Sequence, residues 1–274
     1  MAPGATTDAL ETTSISIHFD RFLDPRSVIR QAVCLRSDTG ALESFEDCSG
    51  AIGLTPTYDP VTRTATYYLQ EGQSLEPGNL YRFTVFRPRD GVDFGFRAVD
   101  GAGLAETISI DLQITAAPNG TPVEAPTEPD AAPTCNDVRK QLKSCSACHD
   151  GTADGAAIMG LDLATVQGFA AATSRVARQT QVGGNADDPA TKPGRLGAAM
   201  PLIDPRNPGN SYLLYKALVR YAPREETLAD GELERLQEAL VVGAGMPYNA
   251  QDPLSDLALE TTSAWIAAGA RCDL

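Results

Sequence analysis

Thr134–His149 reads TCNDVRKQLKSCSACH. The stretch opens on a helix-start signal, Thr134 with Asp137 three residues on. It closes on C-x-x-C-H, supplied by Cys145, Cys148 and His149. Val138, Leu142, Cys145 and His149 recur at spacings of four, three and four, which predicts one helical face aiming thiols and imidazole at the same body. C-x-x-C-H is the spacing for covalent attachment of haem c. Each thiol can add across a vinyl group, and the adjacent imidazole can bind the iron. The spacing is short because two covalent bonds and one coordinate bond must reach a single rigid disc. C-x-x-C also serves dithiol redox sites and zinc sites. Zinc calls for a second Cys/His pair, but the histidines are His18 and His149 alone and no second C-x-x-C occurs. A thioredoxin-like site calls for a preceding strand, whereas a short polar helix is predicted here. Haem c leads, with the dithiol and zinc as alternatives.

On the N-terminal side lies APNGTPVEAPTEPDAAP, residues 117–133. It is Pro-rich, acidic and free of aromatic residues, so it reads as an extended linker. Before it, residues 1–116 read as β. Ile15, Ile17 and Phe19 alternate with Ser16, His18 and Asp20, as in a half-buried strand. Further runs fall at 29–35, 64–69, 80–86, 94–98 and 107–115, separated by turn signals such as Asp24-Pro25, Asp59-Pro60, Pro77-Gly78 and Asp100-Gly101. Short strands at this spacing predict a sandwich. Cys34 and Cys48 flank an acidic loop there and can close it as a disulfide.

On the C-terminal side, residues 134–274 read as α. A second helix is predicted from Asn210, with Leu214, Leu218 and Tyr221 on one stripe. A third runs from Asp230 to about Leu240, and a last from Ser255, carrying Ala258, Thr262, Trp265 and Ile266 and stopping near Gly269. A haem iron held by His149 needs a sixth ligand or an open site. His18, on the polar side of a strand, is a poor candidate. Of the methionines, Met246 sits in Gly243-Ala244-Gly245-Met246-Pro247, where glycine permits close backbone approach and proline stiffens the loop. Met200 lies in a long Gly/Pro-rich loop, and Met159 is only ten residues past His149. Met246 is the expected distal ligand, with Met200 next.

The chain carries 36 acidic and 22 basic side chains, net −14. The excess is even: 16 against 9 before residue 117 and 20 against 13 after it. Such a surface argues against nucleic acid as partner and permits steering toward a partner with a basic patch. No apolar run is long enough to span a membrane. Met1-Ala-Pro-Gly-Ala-Thr-Thr lacks the apolar core of a signal peptide and reads as a start placed after a removed export signal, with which a lipid anchor can also have been lost. Six cysteines favour an oxidising compartment.

Two resemblances add to this reading. The phrases ISIHFDRFLD (15–24), Tyr58-Asp59-Pro60 with Thr64-Ala65-Thr66, LEPGNLY (75–81) and VDGAGL (99–104) resemble bacterial Ig-like domains of surface proteins. Cys145–His149, PRNPGNSYLLY (205–215), Met246-Pro247 and Leu254-Ser255-Asp256 leading to Trp265-Ile266-Ala267 resemble the single-haem cytochrome c family. The second resemblance implies that Cys145 and Cys148 are thioether donors, His149 the proximal and Met246 the distal iron ligand. It implies Trp265 packing near the haem against the first helix, and a Cys135–Cys272 bridge between the first and last helices. The chain departs from the short forms by an insertion near Val182–Leu196 and a longer segment before Met246. Together these imply an all-β Ig-like sandwich (1–116), the linker, and an all-α cytochrome c-like domain (134–274). The expected function is extracytoplasmic electron transfer, periplasmic or at the cell surface, with one haem c, a redox partner protein and no enzyme activity of its own. A haem-based sensor with an open sixth site and a surface adhesion or scaffold protein are the alternatives.

Overall fold

The computed structural model describes residues 6–9, 14–89, 94–114, 123–124, 132–151, 160–173, 175, 177, 200–220, 228–248 and 254–272. These divide into two compact units. The first gathers the described residues up to Thr127 apart from Asp20–Phe22 and Asp59–Arg63; the second holds those two segments and the described residues from Glu128 onward.

The first unit is built from β1 (Thr6–Ala9), β2 (Ser14–His18), β3 (Val33–Arg36), β4 (Leu54–Asp59), β5 (Thr64–Leu69), β6 (Ser74–Leu75), β7 (Leu80–Val85), β8 (Ile108–Ile114) and β9 (Val123–Glu124). One sheet has the order β1-β8-β7-β3, a second β2-β5-β4, and β6 pairs with β9. Most pairings are antiparallel, but β1 runs parallel to β8. Alternation decides the faces. Ile15 and Ile17 of β2 pack against a core that also takes Tyr67 of β5, Phe83 of β7 and Ile110 of β8, while Ser16 and His18 face solvent. Both larger sheets therefore feed one apolar core. Arg82 and Asp111, opposite each other on β7 and β8, form a bidentate ion pair at 2.6 and 2.7 Å. Cys34 and Cys48 are joined in a disulfide over a smaller cluster with Leu42 and Phe86.

The second unit contains α1 (Cys135–Gln141), α2 (Val166–Ala172), α3 (Tyr212–Leu218), α4 (Glu232–Ala239) and α5 (Asp256–Ala267). Thr134 and Asp137 form a reciprocal capping box at the start of α1, and Ser255 caps α5. α1 packs on α5, and a Cys135–Cys272 disulfide ties the start of one to the end of the other. Glu232, fully buried, accepts hydrogen bonds from Phe22 N, Arg21 Nε and Arg235 Nε at 2.8–3.1 Å. A buried carboxylate so surrounded keeps its charge satisfied.

The expected architecture, an all-β Ig-like sandwich joined to an all-α cytochrome c-like domain, is overturned. The chain is mixed. Among the described residues, four of the five helices are only 7–8 residues long, too short to hold themselves alone. Between them, the described residues include isolated bridges, Asp150 to Asp162 and Thr173 to Ile203. Two segments of the β-rich sequence, Asp20–Phe22 and Asp59–Arg63, belong to the helical unit. β9 forms inside the stretch read as linker; the rest of 117–131 lies outside the described residues.

Candidate functional site

α1 stops at Gln141, and the predicted face does not continue as an α-helix. Lys143–Ala147 turns as a 3-10 helix, and His149 lies just beyond it. Ser146 contributes to the change: its hydroxyl donates to the Lys143 carbonyl at 2.7 Å, a local bond that competes with helical ones. Cys148 lies just past this turn as its C-terminal cap, and its amide donates to the Cys145 carbonyl at 3.2 Å. The His149 amide donates back to the Cys145 carbonyl at 2.9 Å, and the Leu163 amide donates to the His149 carbonyl at 2.7 Å. The histidine is thus held from both sides.

Leu142, Cys145 and His149 form part of the wall of a pocket of about 110 Å³. The wall is almost entirely apolar, with leucines from the α1, α3 and α5 regions. Among the described residues its charged members, Arg175 and Lys216, are both cationic, and no Asp or Glu lines it. Met246 lies on the same wall.

The Met246 segment is placed by α3 and α4. The Met246 amide donates to the Lys216 carbonyl at 2.7 Å. The Val242 amide donates to the Tyr212 hydroxyl at 2.9 Å, and its carbonyl accepts from Lys216 Nζ. Gln237 Nε2 donates to the Gly243 carbonyl. Gly245 passes so close to the residues after α3 that a Cβ would lie 2.5 Å from Val219 Cγ2 and Arg220 Cγ, so any larger residue would force those side chains to shift. The Met246-Pro247 peptide is cis.

His149 Nδ1 is buried without a hydrogen-bond partner, a condition that costs about 1–3 kcal/mol in the chain by itself. A ligand bonded at Nδ1 removes that cost, whereas one bonded at Nε2 leaves it in place. Burial also pushes the His149 pKa down, which favours the neutral ring that metals bind. The Cys145 and Cys148 thiols are unbridged. Cys145 is half-buried and its pKa is pushed up, chiefly by burial; Cys148 is exposed. Cys148 does not line the pocket, but the Cys145 thiol, the His149 imidazole, the Met246 thioether and an apolar wall with cations on it fit a haem, whose periphery is apolar apart from its carboxylates. Among the described residues, no three His, Cys, Asp or Glu side chains converge on a metal position of their own.

Not every expected site residue joins this wall. Trp265 is buried on α5 but does not line the pocket: its ring meets Phe169 edge-on at 5.9 Å and its Nε1 donates to the Arg271 carbonyl at 3.0 Å. Met200 is buried away from the wall, Met159 and Tyr221 lie outside the described residues, and His18 is exposed on β2. Sequence reasoning missed Lys216, Tyr212 and the α2 region. For α2 a signal existed: Thr165 precedes Val166, Phe169 and Ala172 at helical spacing, and its hydroxyl accepts the Gly168 amide at 3.0 Å. For Lys216 there was none, since a lysine on a helix is ordinarily solvated. No protein-family model matches this chain, and no curated protein or solved structure matches it.

Proposed function

We propose that the helical unit carries one covalently attached haem c and serves as a one-electron carrier outside the cytoplasm. The observation that carries this reading is the convergence of Cys145, His149 and Met246 on a single apolar wall. Cys145 and Cys148 would hold the group through thioether bonds, His149 through its imidazole and Met246 through its sulfur. When bound, the haem supplies an iron centre that cycles between ferric and ferrous. The chain's own residues do the rest. The leucines of the wall exclude water and lower the local polarity, which tunes the potential along with the axial ligands. Arg175 and Lys216 give the wall the charge that suits carboxylates. No general base or nucleophile is needed for such a role, and the reading is of a carrier rather than an enzyme. Two disulfides support an oxidising compartment, and no helix among the described residues is long and apolar enough to cross a membrane. The redox partner would be a protein with a basic patch, because the chain is net −14.

The test is a pyridine haemochrome spectrum on protein made in cells that can attach haem c. Covalent haem is expected in the wild type and none in the Cys145→Ala/Cys148→Ala variant. A colourless wild type with both thiols free or joined to each other would sink the reading. Rapid carbon monoxide binding by the ferrous wild type would move it from carrier to sensor.

A further inference from the structure

We propose that Lys216 and Tyr212 of α3 are positioning residues that hold the Met246 sulfur in the pocket; this rests on the haem reading above. A helix leaves its last four carbonyls without intrahelical partners. α3 ends at Leu218, so the Lys216 carbonyl is one of these, and it accepts the Met246 amide at 2.7 Å. The same residue reaches back with its ammonium to the Val242 carbonyl. One turn earlier, the Tyr212 hydroxyl accepts the Val242 amide at 2.9 Å. The segment is therefore fixed at both ends by one helix: Val242 through both of its backbone groups, and Met246 through its amide. Gly245 allows the close approach between them.

Packing alone does not account for Lys216. It is 6 % exposed, and burying an ammonium is unfavourable beside burying an apolar chain of the same length. A methionine or leucine would fill the space better. What lysine adds is a charge-assisted bond to the loop carbonyl, stronger than a neutral one. Lys216, Tyr212 and Met246 share the pocket wall, so the bonds act where the thioether must sit.

The experiment compares haem-loaded wild type with Lys216→Met, Lys216→Arg, Tyr212→Phe and Met246→Ala. The readouts are the weak far-red band of ferric iron bound to thioether, the reduction potential and the affinity of the ferric protein for imidazole. Lys216→Met should bind imidazole about tenfold more tightly, since one hydrogen bond no longer opposes displacement of the sulfur. Its far-red band should weaken, and Lys216→Arg should restore much of both. Tyr212→Phe, which keeps the buried cation, should shift both readouts in the same direction. In haem-free protein, the Met246 amide should exchange with solvent faster in Tyr212→Phe than in wild type. Wild-type imidazole affinity and band in both Lys216→Met and Tyr212→Phe would overturn the positioning role even if both unfold at lower temperature. A wild type without covalent haem, or a far-red band that survives Met246→Ala, would instead overturn the reading beneath it.

Discussion

Cys145 and Cys148 carry the same thiol in two environments. Burial raises the Cys145 pKa, while Cys148 is exposed. Only the thiolate reacts with an alkylating agent. In haem-free protein, iodoacetamide at neutral pH should label Cys148 before Cys145, as read by peptide mass spectrometry; equal rates would contradict the half-buried placement. Two aspartates make a second contrast. Asp59 is buried, which raises its pKa against the lowering effect of bonds from Ser263 and the backbone. A raised folded value means that its contribution to stability is full below the unfolded pKa, about 3.9, and is lost as pH rises through the folded one. For Asp111 the hydrogen bond from Arg82 lowers the value, so its contribution is present above about pH 3.9 and lost as pH falls through the folded value. Carboxyl carbon shifts followed by NMR should titrate at higher pH for Asp59 than for Asp111. At this scale the donor residues were legible, because C-x-x-C-H is a contiguous chemical pattern. Lys216 was not, because its burial depends on residues far along the chain.

Elements were legible where their signals are local. The Thr134 box and the Ser255 cap placed α1 and α5, and the alternation of Ile15 to Phe19 placed β2. β4, which no run in the sequence marked, carries Pro56 on an edge strand, where a missing amide is tolerated. The 94–98 run forms only isolated bridges, Ala98 to Leu23 and Arg97 to Gly103. The helix through Cys145 stops early, yet Leu142, Cys145 and His149 still reach one wall by way of the 3-10 turn. The Cys135–Cys272 link closes a sequence separation of 137 residues, against 14 for Cys34–Cys48. Chain entropy favours the longer closure. Cys135→Ser/Cys272→Ser should cost the helical unit about 2–5 kcal/mol in denaturant unfolding. Trp265, the lone tryptophan and buried on α5, is the natural reporter; an unchanged midpoint would show that the staple contributes nothing.

The whole molecule carries net −14, spread over both parts of the sequence. Long-range charge sets association rates, and salt screens it within about 10 Å at 0.1 M. Electron transfer from the haem-loaded protein to a small cationic oxidant should therefore slow by several-fold to about tenfold between low and physiological salt. Transfer to an anionic oxidant should speed up; stopped-flow rates that ignore salt for both would remove steering from the account. Composition and motif spacing by themselves determined the charge, the candidate ligands, most strand and helix starts and the cysteines available for pairing, since each depends on neighbours within a few residues. Only the tertiary structure decided that the chain is mixed rather than all-β then all-α. It alone decided that Asp20–Phe22 and Asp59–Arg63 join the helical unit, and that Met246, not Met200, shares a wall with His149. These outcomes depend on which distant segments share a core, and burial between segments a hundred residues apart leaves no periodic trace in either one.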